Sequence, residues 1–395
     1  MSKNVNKDEE LPKGWRKVKL GEACYFKRGP FGSSLKKDSF VKNGYAVYEQ
    51  KHAIYNQFVN VRYFINEAKF KEMKGFEVRP GDLIMSCSGT MGKVAIIPKS
   101  VRAGIINQAL LKLTPDNMLS GIFLKLWMDS SEFHRSLSSV TFGNAIKNVA
   151  SVKVLKELPL PLPPLPQQKA IASLLETWDT AIEKTEALIA AKEKRFKWLL
   201  KTLISDQQSN PEWRKVKLGD VLSYEQPAKY IVTSTKYSDH DGVAVLTANK
   251  SFILGYTQEK EGIFNDPPVI IFDDFTTATK YVDFPFKIKS SAMKILKIAK
   301  RKMDLQFVFY SMQFIDFPLG GHQRYWISEY QHLEIKIPNI EEQRNIIDTL
   351  NVAQKEIDIL KYIIKQHRIQ KRGLMQKLLT GKWAFLTPDP DEKEI

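Results

Sequence analysis

The sequence predicts an α+β protein: two globular mixed α/β domains separated by two long antiparallel coiled-coil helices, arranged as a pseudo-two-fold internal repeat. Three observations carry this. The heptapeptide WRKVKLG stands at Trp15–Gly21 and again at Trp213–Gly219, 198 residues later, an identity that marks duplication. Residues 162–204 enter through prolines and then run without Gly or Pro, with Ile171, Leu175, Trp178, Ile182, Ile189, Phe196, Leu199 and Leu203 in alternating 4-3 spacing and Thr185 and Lys192 in the gaps. Such spacing lays one narrow seam against another helix. The partner seam lies in residues 337–379, where Ile346, Leu350, Ala353, Ile357, Leu360, Ile364, Leu374 and Leu378 keep a constant offset of 175.

Taken in order, residues 1–10 are polar and charged and are expected to be disordered. A first globular domain spans 11–160. Its strand-like runs include Gly44–Tyr48, Leu83–Ser86, Lys93–Ile97 and Leu110–Leu113, with Pro80–Gly81–Asp82 as a turn. A helical pattern over Ser120–Ser139 and a Pro-bearing strand, Leu158–Pro163, lead into the first long helix, 161–206. The second globular domain, 211–336, repeats the plan with runs at Val243–Leu246, Val269–Phe272, Phe286–Ile288 and Lys294–Ile298. A helical pattern at Met303–Gln313 and a strand at Leu333–Pro338 then open the second long helix, 337–381. In the tail, 382–395, Lys382–Trp383 is placed to pack back near the first domain, and the acidic end is expected to be loose.

A chain of 395 residues exceeds one typical core. A net charge of +16 and a pI near 9.5 call for a polyanionic partner. Nucleic acid ranks ahead of membrane because no basic amphipathic anchor is visible. Cys24 and Cys87 sit in unrelated contexts, which argues against a disulfide framework or a cysteine zinc site. MSKNVNKDEE lacks the apolar core of a signal peptide, and no apolar run approaches the ~20 residues of a membrane span, so a cytoplasmic location is expected. The repeat offsets of 198 and 175 mean that the globular parts have diverged in length while the frame kept its register. Helices of ~38 residues would be ~57 Å long. The expected object is a dumbbell whose two different domains touch two different patches of DNA across an unread gap.

Taken together, Gly14–Trp15, Lys19–Gly21, Gly81–Lys93 (GDLIMSCSGTMGK), Pro161–Gln168 (PLPPLPQQ), its weaker copy Ile337–Gln343 (IPNIEEQ) and Leu378–Gly381 (LLTG) resemble the specificity subunit of type I restriction–modification systems. The resemblance covers nearly the whole chain. It implies two target-recognition domains, each reading one half of a bipartite asymmetric site on double-stranded DNA. It also implies no catalytic centre and no cofactor in this chain. Two modification subunits would carry S-adenosylmethionine and methylate adenine at N6, and restriction (motor–nuclease) subunits would join through them, with ATP and Mg. The second half departs from the pattern. Asp266–Asp283 (DPPVIIFDDFTTATKYVD) stands roughly where the SGT-GK loop should be, so a different recognition subtype is expected there.

Small polar residues beside basic ones allow close approach to phosphate and present donors to base edges. The candidates in the first domain are Arg28, Ser33 and Ser34; Ser86, Ser88, Thr90 and Lys93; and Asn144, Lys147 and Asn148. In the second they are Thr276, Thr277 and Lys280, and His322, Gln323 and Arg324. Asn144, Gln323 and Arg324 are types that can read a base through two bonds. Asn265–Val269 (NDPPV) approaches the amino-methyltransferase motif, but Val269 replaces its aromatic residue and no glycine-rich cofactor loop follows a strand, so a turn into a buried strand is the better reading. Asp273–Asp274 and Asp239–His240–Asp241 could bind metal on composition but lack a second cluster. A self-sufficient adenine methyltransferase and a coiled-coil DNA scaffold without base readout are the alternatives. Lys192 and His367, equivalent by the repeat, interrupt the two seams. The exposed helix faces, with Glu176, Glu183, Lys194 and Lys197, are either solvated or, in such a family, docking surfaces.

Overall fold

The computed structural model describes residues 11–141, 152–248, 251–299, 303–320 and 323–383. Contacts divide the chain into two compact units. One gathers the chain up to Thr185 with the part from Ile363 on, and the other runs from Glu186 to Tyr362. Each long helix is thus shared between the units.

In the first unit, β1 (Arg16–Lys19) comes from the repeated heptapeptide and pairs antiparallel with β10 (Pro159–Leu162), joining the start of the domain to the entry of the helix. Trp15 and Leu20 are buried at either end of β1. The main sheet has the order β2 (Cys24–Arg28), β9 (Leu110–Pro115), β6 (Leu83–Ser86), β7 (Val94–Ile96). A second sheet runs β4 (Tyr63–Ile65), β3 (Tyr45–Tyr48), β8 (Gly104–Ile106), β5 (Glu77–Val78), with β3 and β8 parallel. The helical pattern expected over Ser120–Ser139 forms two helices, Gly121–Asp129 and Ser131–Thr141. They break at Ser130, whose hydroxyl donates to the Trp127 carbonyl at 2.6 Å and competes with continuation of the helix.

The second unit repeats this plan. β11 (Arg214–Lys217) pairs with β19 (Glu334–Ile337). The main sheet has the order β12 (Leu222–Glu225), β18 (Met293–Ile298), β15 (Val269–Asp273), β16 (Thr279–Val282). Beside it lie β14 (Ile253–Thr257), β13 (Val243–Leu246) and β17 (Phe286–Ile288), the last two parallel. The main sheet keeps the strand order of the first unit, while the second sheet has no strand for β5, in whose place Phe264 forms a single bridge to Phe286 on β17. The sequence departure at Asp266–Asp283 therefore changes side chains and a turn but not the order of the main sheet.

The long helices are Leu165–Leu200, which ends in a π-helical turn at Lys201–Ser205, and Ile340–Leu378. Within the first unit Ile171, Ala172 and Leu175 join the domain core together with Leu378 and Leu379 from the end of the second helix. Within the second unit Ile346, Ile347 and Leu350 join theirs together with Ile204. Gly381, at φ 75°, sits against Leu11, Pro12 and Trp15 of the first domain. Lys377 lies 3.9 Å from the Trp383 ring. The expectations for residues 1–10 and for the acidic tail fall outside the described residues.

Candidate nucleic-acid interface

In the first unit the loop between β6 and β7 carries Ser86–Lys93. Gly89 and Gly92 turn it with φ of 61° and 76°, angles that side chains resist. Ser86 is buried; its hydroxyl donates to the Thr90 carbonyl at 2.6 Å and accepts the Lys93 N–H at 3.0 Å. Its hydroxyl closes the loop from inside rather than facing outward. Ser88 donates through both its N–H and its hydroxyl to the amide oxygen of Gln50, at 2.9 and 3.0 Å. Thr90 and Lys93 are exposed at the tip. Exposed Arg28 lies beside Cys87, whose thiol is pushed up to about 11 by burial, opposed by the charge and hydrogen bond of Arg28.

A second loop leaves β2 next to it. Gly29 donates its N–H to the Leu110 carbonyl at 2.9 Å, and Cys87 donates its own to Ala109 at 3.0 Å. A Cβ on Gly29 would meet the Asn107 carbonyl oxygen at 1.8 Å, so only glycine allows this approach. The two loops are thereby gathered on one short segment, with Ser33 exposed and Ser34 half-buried. Asn144, Lys147 and Asn148 lie outside the described residues.

The second unit carries its turn at the same topological place, between β15 and β16. Asp273 accepts the Phe275 N–H at 3.0 Å and the Thr276 hydroxyl at 2.8 Å, and Thr277 adopts a left-handed φ of 57°. Thr276 and Lys280 are exposed and Thr277 is half-buried. Asp274 is buried: its carbonyl accepts the Tyr325 N–H at 3.0 Å, and its carboxylate accepts the Trp326 N–H at 2.8 Å and faces the Lys294 ammonium at 3.4 Å. Exposed Gln323 and Arg324 directly precede this attachment, and the Gln323 amide donates to Glu329 at 2.9 Å. Both sets of candidates are thus brought to one surface; His322 lies outside the described residues. Asp273 and Asp274 are engaged as turn and loop anchors. Among the described residues no group of three or more His, Cys, Asp or Glu could hold a metal ion.

Val269 is fully buried at the start of β15 and Asp266 is exposed before it, so NDPPV is a turn into a buried strand. Sequence reasoning missed Gln50 and Lys294. Gln50 acts on a loop 38 residues away with no local pattern to mark it. Lys294 had only its position beside Lys297 in an otherwise apolar strand.

Residues 12–192 match the family model described as the type I restriction modification DNA specificity domain. A relative from Escherichia coli, the type I restriction enzyme EcoR124I/EcoR124II specificity subunit, is 49% identical over 132 residues, about a third of either chain (32%). The putative type I restriction enzyme MjaX specificity subunit of Methanocaldococcus jannaschii is 24% identical over 96% of both chains. Over these segments the chain is similar to the specificity subunits of type I restriction–modification systems. The fold is that of the HsdS subunit from Thermoanaerobacter tengcongensis, with a TM-score of 0.56 at 16% identity, covering 95% of this chain and 99% of that one. The matched family segment contains the β6–β7 loop, and the second unit repeats that loop's surroundings with other side chains. No helix among the described residues is long and apolar enough to cross a membrane.

Proposed function

We propose that this chain is the non-catalytic DNA-reading subunit of a type I complex, in which each unit reads one half of a bipartite, asymmetric site on double-stranded DNA. The observation that carries the reading is one strand order used twice under two different loop surfaces: Arg28, Ser33, Thr90 and Lys93 in one unit, Thr276, Lys280, Gln323 and Arg324 in the other. Lys and Arg there set position on the phosphates, while the amide and guanidinium groups discriminate bases. The net charge of +16 supplies the salt-dependent attraction.

The helices set the unread spacer and dock two modification subunits, and restriction subunits join through these. S-adenosylmethionine, ATP and Mg belong to those partners and none is held here. A docking role is supported by Val352, Ile359 and Tyr362, which form an exposed apolar stripe on the second helix, 71%, 50% and 63% accessible at heptad spacing. The test is methylome sequencing of cells expressing this chain with its modification subunit. One bipartite motif with an N6-methyladenine in each half is expected. Replacing residues 15–157 by another such domain should change one half only; a change in both halves would overturn the two-reader reading.

A further inference from the structure

Asp274 and Lys294 are each only 1% exposed, yet neither lies on the surface proposed to meet DNA. A buried ion pair contributes little to stability for the desolvation it costs, so its retention calls for another account. Lys294 is held from two further sides, donating to the Gln226 amide oxygen at 3.0 Å and standing 5.5 Å from the Tyr224 ring. It therefore fixes the Asp274 carboxylate rather than following it. Asp274 in turn takes two consecutive backbone N–H groups, those of Tyr325 on its carbonyl and Trp326 on its carboxylate. The Tyr325 hydroxyl also accepts the Gly320 N–H at 2.9 Å.

The result is a chain of contacts from a sheet strand to a loop. Lys294 on β18 holds Asp274 after β15, and Asp274 holds Tyr325 and Trp326, directly after Gln323 and Arg324. Asp273, directly before Asp274, caps the turn that carries Thr276, Thr277 and Lys280. Two candidate reading segments, distant in sequence, thus meet at adjacent anchors. We propose that Asp274, clamped by Lys294, is a positioning residue that locks Gln323 and Arg324 to the Thr276–Lys280 turn and so sets which base edges the second unit can read. It touches no base itself. This rests on the reading of the second unit as a half-site reader.

The test compares the methylomes produced by wild-type, Asp274→Ala and Asp274→Asn chains, each expressed in full with its modification subunit. Asp274→Ala is expected to make the second half-site degenerate, with discrimination against the nearest non-cognate sequences falling about ten-fold, while the first half-site keeps its sequence. Asp274→Asn keeps an oxygen for the Trp326 N–H and loses the charge opposite Lys294. It should relax the same half-site to a smaller degree, and it carries the test by the same criteria if the alanine variant fails to assemble. A second half-site of unchanged sequence overturns the proposal, whether methylation stays at the wild-type level or falls uniformly across both halves; the uniform fall is what a merely structural role would give. A wild-type methylome without any bipartite motif would instead overturn the function on which the proposal rests.

Discussion

Gln168 and Gln343 stand 175 residues apart, and both are fully buried. The Gln168 amide donates to the carbonyls of Met118 and Pro163, at 2.8 and 2.9 Å, and its oxygen accepts the Ser120 N–H at 2.8 Å. Gln343 donates to the Pro338 carbonyl at 2.9 Å, approaches the Met303 sulfur at 3.9 Å and accepts the Asp304 N–H at 2.9 Å. Each side chain fastens the start of a long helix to the segment that opens a domain helix. Beside them Trp15 donates to Gln167 at 2.9 Å and Trp213 to Glu342 at 3.1 Å. Gln168→Ala leaves three polar groups unmet, at about 1–3 kcal/mol for each one that water cannot reach. The expected loss is about 2–4 kcal/mol, seen by calorimetry as a lower melting temperature of the first unit; a shift worth under about 0.5 kcal/mol, the range of an unremarkable surface change, would contradict it. PLPPLPQQ marks this glutamine in the sequence, but its partners Met118 and Ser120 lie about fifty residues back with nothing local to name them. Ser86 shows the opposite error. All four residues of β6 are buried, so no period-2 alternation was available to show that its hydroxyl faces inward.

At the scale of elements, the seam is present but unevenly buried. Ile171 and Leu175 are inaccessible where the first domain covers them, whereas Ile182 and Ile189 are only half-buried. Two helices alone leave an edge of each seam in water; a third surface is needed to seal it. The polar interruptions are met differently in the two units. Lys192 pairs with Glu356 at 2.5 Å, while His367 lies edge-on to Trp178 with ring centres 5.3 Å apart. Ile171→Ala should therefore cost about 2–5 kcal/mol as a buried large-to-small change. Lys192→Ala, which removes a part-exposed ion pair, should cost under about 1 kcal/mol. Denaturant melts of the two variants decide this, and equal costs would show that the seam is loaded uniformly along its length. The 4-3 repeat made the helices legible almost to their ends. Strands such as Tyr63–Ile65 and Gly104–Ile106 were not, because three residues carry no readable period.

At the scale of the molecule, the duplication is a rule about what must stay fixed. Ile204 and Leu379, again 175 apart, are both fully buried, one completing the core of the second unit and the other that of the first. Each unit therefore depends on the end of the other half's helix. Strand order, helix entry and seam are common to both copies, and the differences gather in the turns after β6 and β15 and in the loops beside them. The repeated heptapeptide and the constant offset made this frame legible from sequence. The common topology of the domains was not, because residues 83–93 and 269–280 share almost no side chains. If the frame spaces two readers, length should be separable from specificity. Inserting one heptad at equivalent places in both helices adds about 10 Å of helix and keeps every seam residue in phase. That length is close to ~3 base-pair steps at 3.4 Å. The methylome of such a chain, expressed with its modification subunit, should show the original half-site sequences with a longer spacer, or no methylation where the partners cannot span the change. Altered half-sites, or the original spacer retained, would mean that the helices are not what sets the distance.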